Sequence, residues 1–184
     1  MSEATNIWIA FFRGINVGGN HILPMKSLAS LIEGIGANGV KTYIQSGNAV
    51  FAHAERDAST LAKRIEAAVL KAHGFTPNVL LLTLKELTSA ANANPFPHAA
   101  TAPTSLHLAF LASVPAKANW EGLNAIKLAN EAYQVKGKVF YLHAPDGIGQ
   151  SKLATRYEKL LGVAATARNW NTVVKLIEIA SPVR

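Results

Sequence analysis

The sequence predicts an α+β protein. It should contain two ferredoxin-like β-α-β-β-α-β repeats, joined by a short helix and a Pro/Ala/Asn-rich linker, plus a C-terminal helix. Three observations predict this. Short β-branched and aromatic runs alternate with stretches that place apolar residues at helical spacing. The strand and helix signals occur in the same order twice, with little sequence identity between the copies. Between them lies ANANPFPHAATAPT, residues 91–104, which carries no charge. The expected division is therefore residues 1–90, a linker at 91–104, and residues 105–184 with the C-terminal helix, the repeats packing as one unit.

Each element has a local reason. IWIAFF, residues 7–12, reads as a buried strand. Pro24 stands where a helix can begin, because its missing N–H is not needed there. Leu28, Leu31, Ile32 and Ile35 then form an apolar stripe. VKTYIQ and NAVFAH read as strands joined by Ser46-Gly47, a two-residue hairpin signal. Leu61, Ile65, Ala68, Val69 and Ala72 mark a helix that Gly74 can end. NVLLLT, residues 78–83, is the fourth strand, and Thr83 with Glu86 forms a capping box for a short helix.

The second copy opens with SLHLAFL, residues 105–111. A helix is expected over residues 116–130. AYQVK and KVFYLHA flank a tight turn at Lys136-Gly137. Leu153, Tyr157, Leu160 and Leu161 stripe a helix closed by Gly162. ATARN is a short last strand, and Trp170, Val173, Val174 and Ile177 share one face of the final helix.

Composition narrows the function. The chain has 184 residues, 49% of them hydrophobic and 16% charged, enough for a core and unlike a disordered chain. Net charge is +7. The excess is uneven: residues 101–184 carry ten basic and five acidic side chains, against eight and six in residues 1–100. That balance admits nucleic acid, anionic lipid or acidic small molecules. Without cysteine there is no disulfide, thiolate nucleophile or cysteine-ligated metal. The N-terminal residues show no signal-peptide pattern and no apolar run is long enough to span a bilayer, so a cytoplasmic, non-membrane protein is expected. The six histidines show no HxxxH or HExxH spacing, and no metal is expected. There is no G-x-S-x-G element for a serine hydrolase.

Four stretches could carry chemistry. In RGINVGGN, Gly14, Gly18 and Gly19 can take positive φ and present N–H groups to an anion, with Arg13 as a forked cationic donor. The loop matches neither the dinucleotide fingerprint nor the P-loop, and the plainer reading is a crossover whose glycines serve packing. In HAPDGIGQSK, Gly147, Gly149, the Ser151 hydroxyl and the Lys152 ammonium could cradle phosphate or carboxylate. The alternative is a turn with Ser151 at a helix N-cap. In RNWNTV, Arg168 sits at a strand end, Asn169 or Asn171 can cap the last helix, and Trp170 packs. In YIQSGN, Gln45, Ser46 and Asn48 crowd one hairpin, where most polar groups simply satisfy the turn.

These same stretches carry a resemblance. FFRGINVGGN…PM, TYIQSGNAVF, YLHAPDGIGQSKL and ATARNWNTVVKL resemble the signature blocks of a bacterial family, domain-of-unknown-function family 1697. The family has a leucine where Phe12 stands. The resemblance implies a small cytoplasmic α/β protein with ferredoxin-like repeats and no established activity. It also implies, by position, a set of polar motif residues: Arg13, Asn16, Gln45, Ser46, Asn48, Ser151, Lys152, Arg168, Asn169 and Asn171.

The favoured expectation is a cleft for a phosphate- or carboxylate-bearing small molecule. Lys152, Arg168 and Arg13 would neutralise charge, the loop N–H groups, Asn16 and Ser151 would orient the ligand, and Gln45 and Asn48 would read its polar groups. No general base stands out; Asp146 and His143 are the titratable groups nearest a motif. Catalysis, cofactor and oligomeric state stay open. A second expectation is a single-stranded nucleic-acid module, because KGKVFYLH places Phe140 and Tyr141 on a strand that stacks bases in RNA-recognition domains. A third is a protein that acts through a partner, its motifs being structural.

Overall fold

The structure, a computed structural model, describes residues 5–181. The chain divides into two compact units: one runs to Thr88 and resumes at Leu176, the other is Ser89–Lys175.

The first unit contains β1 (Asn6–Arg13), α1 (Met25–Gly34), β2 (Asn38–Thr42), β3 (Asn48–His53), α2 (Ala58–His73) and β4 (Asn78–Thr83). The strands form an antiparallel sheet in the order β2-β3-β1-β4. This is the expected split arrangement, with β1 central and its crossover helix carrying the chain to the edge. Trp8, Ala10 and Phe12 point from β1 into a core with Phe51 of β3, Leu28 and Ile32 of α1, and Leu61, Ile65 and Val69 of α2. Each fully buried side chain of this kind contributes about 1.5–3 kcal/mol. Ile9 and Phe11, on the opposite face, are also fully buried, which explains why the strand reads as a continuous apolar run.

Helix ends follow local chemistry. Asp57 caps α2 by accepting from the Thr60 N–H, and Gly74 closes it at φ 75°. Thr83 and Glu86 form the reciprocal capping box at the start of α3 (Leu84–Asn92), with bonds of 2.8 and 3.2 Å.

The second unit repeats the order: β5 (Leu106–Leu111), α4 (Trp120–Ile126), β6 (Ala132–Lys136), β7 (Val139–His143), α5 (Lys152–Leu161) and β8 (Ala165–Asn169); α6 (Trp170–Ala180) begins in this unit and ends in the stretch, from Leu176, that belongs to the first. Its sheet order is β6-β7-β5-β8, again antiparallel. Ala109, Leu111, Phe140 and Leu142 pack against Leu123 of α4 and Leu153, Tyr157 and Leu161 of α5. The stretch between the repeats is more structured than its composition suggests. It holds the end of α3 and a 3-10 turn at Pro97–Thr101 with Ala99 buried.

Three local expectations are corrected. Residues 43–45 are not strand: β2 ends at Thr42, and a five-residue loop runs to β3, with Ile44 at φ 50° and Gly47 at φ 84°. The helix expected over 116–130 is only α4, because Asn119 caps it through the Gly122 N–H. After it, the chain turns at residues 128–131, where the Leu128 N–H donates to the Glu131 carboxylate at 2.8 Å. On α6 the buried face is Val173, Leu176 and Ala180, whereas Val174 is 45% exposed. Among the described residues, no helix is long and apolar enough to cross a membrane.

Candidate functional site

In the first unit, β1 delivers Arg13 to the surface and the loop to α1 begins. Gly14, Gly18 and Gly19 are exposed, at φ 79°, 58° and 77°. A Cβ at any of the three would meet nothing within 4 Å. Their glycines are thus needed for backbone conformation, not for close packing. No hydrogen bond from their N–H groups is found among the described residues. The loop is held internally: the Asn16 N–H donates to the His21 carbonyl at 3.1 Å. His21 Nδ1 donates to the Gly14 carbonyl at 2.8 Å, and its ring stacks on Phe75 at 4.5 Å.

Asn16 and Asn48 are employed in holding the fold. Asn16 itself lies at φ 54°. Its Nδ2 donates to the carbonyls of Leu23 (3.0 Å) and Gln45 (2.9 Å), and its Oδ1 accepts the Leu23 N–H at 2.8 Å. One side chain therefore ties the glycine loop to the hairpin loop. Asn48 is fully buried and donates to the Tyr43 carbonyl (3.0 Å) and the Ser46 hydroxyl (3.3 Å). Gly47 is buried against Ile15 and Phe12, whose N–H donates to the Gly47 carbonyl at 2.8 Å. The first two motifs are thus brought together, with Gln45 and Ser46 left exposed at the tip.

In the second unit, Gly147 takes φ 87° and Ser151, 2% exposed, caps α5 by accepting the Ala154 N–H at 3.1 Å. Gly149 and Lys152 are exposed. Asn169 caps α6 through the Thr172 N–H at 2.9 Å, and Asn171 is exposed on that helix. Arg168 pairs in register with Leu108 and its Nη1 donates to the Ala167 carbonyl at 2.8 Å. Burial pushes its guanidinium down to about 10. Asp146 accepts from Asn130 at 2.8 Å. Phe140 and Tyr141 are each 1% exposed, Phe140 being stacked on Tyr157 and Tyr141 donating to the Ala90 carbonyl. Neither offers a face on which a base could stack, which removes the aromatic argument for a nucleic-acid module.

A pocket that the motifs did not point to lies on the face of β5 that bears His107 and Ala109. Its walls include His107, and the Nδ1 of that imidazole is buried without a partner. Burial pushes His107 down to about 4. The available signal was one polar residue in the apolar run LHLAFL. Among the described residues, no group of three or more His, Asp or Glu is placed to hold a metal.

A family model described as "Protein of unknown function (DUF1697)" matches residues 5–141. The chain belongs to this family. The match takes in both first-unit loops of this DUF1697 protein and ends in β7, before Ser151, Lys152 and Arg168. No curated protein matches. Among solved structures, the conserved bacterial protein SP0830 from Streptococcus pneumoniae is similar, with a TM-score of 0.71 and 19% identity. The alignment covers 97% of this chain and 100% of that one. At that identity the likeness shows a shared fold.

The Asn16 clamp has a measurable consequence. Asn16→Gly keeps the φ 54° conformation without strain and removes only the side-chain bonds. The Leu23 N–H, on a fully buried residue, then loses its acceptor. Urea unfolding should show a loss of about 2 kcal/mol with no ligand present. An unchanged midpoint would mean that the clamp does not hold the loop.

Proposed function

We propose that this DUF1697 protein binds a small phosphate- or carboxylate-bearing molecule at the glycine loop of its first unit. One observation carries the reading: three exposed glycines, Gly14, Gly18 and Gly19, whose N–H groups make no hydrogen bond among the described residues, lie in one short loop that opens with an exposed arginine. Gly18 and Gly19 are adjacent, and successive N–H groups in a turn can form a concavity that suits anion oxygens. Arg13 adds a charged fork, which strengthens such bonds. Asn16 serves the site by shaping the loop, since its side chain is already committed to Leu23 and Gln45. Gln45 and Ser46, at the tip it holds, can contact the ligand's polar groups. Ser151 and Asn169 have their oxygens engaged as helix caps, so the second unit's motifs contribute Gly149, Lys152, Arg168 and Asn171 at most as cationic or polar neighbours of their own loops. The proposed setting is the cytoplasm.

The test is NMR at low ionic strength with inorganic phosphate and with citrate as probes. Saturable amide shifts at Gly14, Gly18 and Gly19 are expected, and Arg13→Ala should weaken binding about tenfold or more. Shifts that scatter over all basic surfaces without saturating, or that survive unchanged in Arg13→Ala, would refute the reading.

A further inference from the structure

The glycine loop and the hairpin loop also present apolar side chains to solvent. Val17 is 69% exposed, Ile22 58% and Ile44 49%. Asn16 gathers them. Val17 follows Asn16 in the chain, Ile22 precedes Leu23 and Ile44 precedes Gln45, and the Asn16 side chain is hydrogen-bonded to both Leu23 and Gln45. Consecutive Cα atoms lie about 3.8 Å apart, so the three aliphatic residues surround one hydrogen-bonded hub. A single exposed aliphatic residue is ordinary on a protein surface, whereas a group of them marks a contact. Ile44 is also a β-branched residue at φ 50°, a conformation that such side chains disfavour and that asparagine takes readily. The hairpin thus gains nothing locally from isoleucine at its tip.

The charge around this patch has one sign. From Arg13 to Ile32 and from Gly34 to Ala54 the chain holds no Asp or Glu, and its formal charges are those of Arg13, Lys26 and Lys41, all exposed. The loops are also open. A Cβ at Gly14, Gly18 or Gly19 would meet nothing within 4 Å, so no wall rises there to enclose the apolar part of a single dissolved molecule. A bilayer boundary needs no concavity. Protruding aliphatic side chains enter it, and cations beside them meet its anionic headgroups.

We infer that the two loops dock on the surface of a bilayer containing anionic phospholipid. A lipid phosphate sits at the glycine loop beside Arg13, and Val17, Ile22 and Ile44 enter the boundary of the acyl chains. This rests on the anion reading of the loop and names the source of its phosphate. The contact is peripheral and lies wholly within the first unit.

The test uses the full chain with vesicles of phosphatidylcholine alone and of phosphatidylcholine mixed with phosphatidylglycerol. Flotation should recover the protein with the mixed vesicles and not with phosphatidylcholine. The double variant Val17→Ser, Ile44→Asn keeps every charge and should bind the mixed vesicles about tenfold or more weakly, since two aliphatic side chains no longer leave water. In methyl-detected NMR with bicelles of the mixed lipids, a nitroxide on the acyl chain should broaden Val17, Ile22 and Ile44. Should the variant fail to fold, that broadening in the unaltered chain decides alone. Equal binding by the variant would mean that a basic protein merely adsorbs to an anionic surface, and absent broadening would mean that the side chains stay in water. A dimer that the double variant splits, with no lipid present, would mean that a second copy covers the patch. Each of these overturns the inference. Inorganic phosphate separates it from the reading beneath it. Saturable shifts at the three glycine amides without vesicle binding would leave the anion site standing and remove the bilayer, whereas methyl broadening with the glycine amides unmoved by phosphate and by lipid would remove both.

Discussion

Gly47→Ala is expected to destabilise the first unit by about 4 kcal/mol, enough to threaten folding of a chain of this size. Two costs add. Gly47 sits at φ +84°, where an L residue is strained by about 1–2 kcal/mol. In addition, a Cβ there would approach Ile15 Cδ1 to 2.5 Å and Phe12 Cβ to 2.7 Å. The Ile15 methyl can swing aside, but Phe12 Cβ is the root of a buried side chain and moves only with β1. Overpacking of this kind costs about 1–3 kcal/mol. Gly18→Ala is the control: it has φ +58° but open space, so it should lose only about 1 kcal/mol. Urea unfolding of the two variants side by side separates conformation from packing. Equal losses would show that the hairpin loop does not press on β1 as described.

Lowering the pH from 7.5 to 5 is expected to cost about 2 kcal/mol of stability through His107 alone. Its folded-state value is about 4 against an ordinary 6.5, and the cause is burial. The folded state therefore favours the neutral ring. The stabilisation is fully present above pH 6.5 and shrinks as the unfolded chain takes up a proton that the folded chain refuses. The loss is complete below about pH 4, where it reaches about 3 kcal/mol. His143 is lowered as well, by burial and then by the neighbouring His98, and acts in the same direction. The His107 share is isolated by measuring denaturant unfolding at both pH values in the parent and in His107→Phe. The variant should lose about 2 kcal/mol less on acidification. Identical losses in the two proteins would show that His107 is not held neutral by its surroundings.

The elements that were legible in the residues are those whose causes are local. Gly74 and Gly162 close their helices at positive φ, Thr83 and Glu86 box the start of α3, and NVLLLT and ATARN are strands with the bounds their patterns suggest. In each case the interacting groups lie within a few positions of one another. The same reasoning failed where distant contacts set the outcome. Ile44 reads as a strand residue, yet it turns because the loop closes through Asn48 on Tyr43 and through Gly47 on Phe12. Val174 fits a helical stripe, yet the buried face of α6 is turned toward Leu176 instead.

The same boundary runs through the sites. Arg13, the three glycines and the capping residues could be picked out as polar or conformationally special from their types and neighbours. Whether such a residue is free or already employed could not, because Asn16 spends its amide on Leu23 and on Gln45, and the latter lies in a different loop. Apart from the one polar residue in LHLAFL, the pocket leaves no mark along the chain: Ala109, Ala154 and Ala167 are ordinary singly and come from β5, α5 and β8. Periodicity and caps are written in short-range order, so residue types alone suffice to place strands, helices and the repeated topology. Cavities and hydrogen-bond satisfaction are sums over neighbours brought together by sheet register and helix packing, and they exist only once the chain has folded.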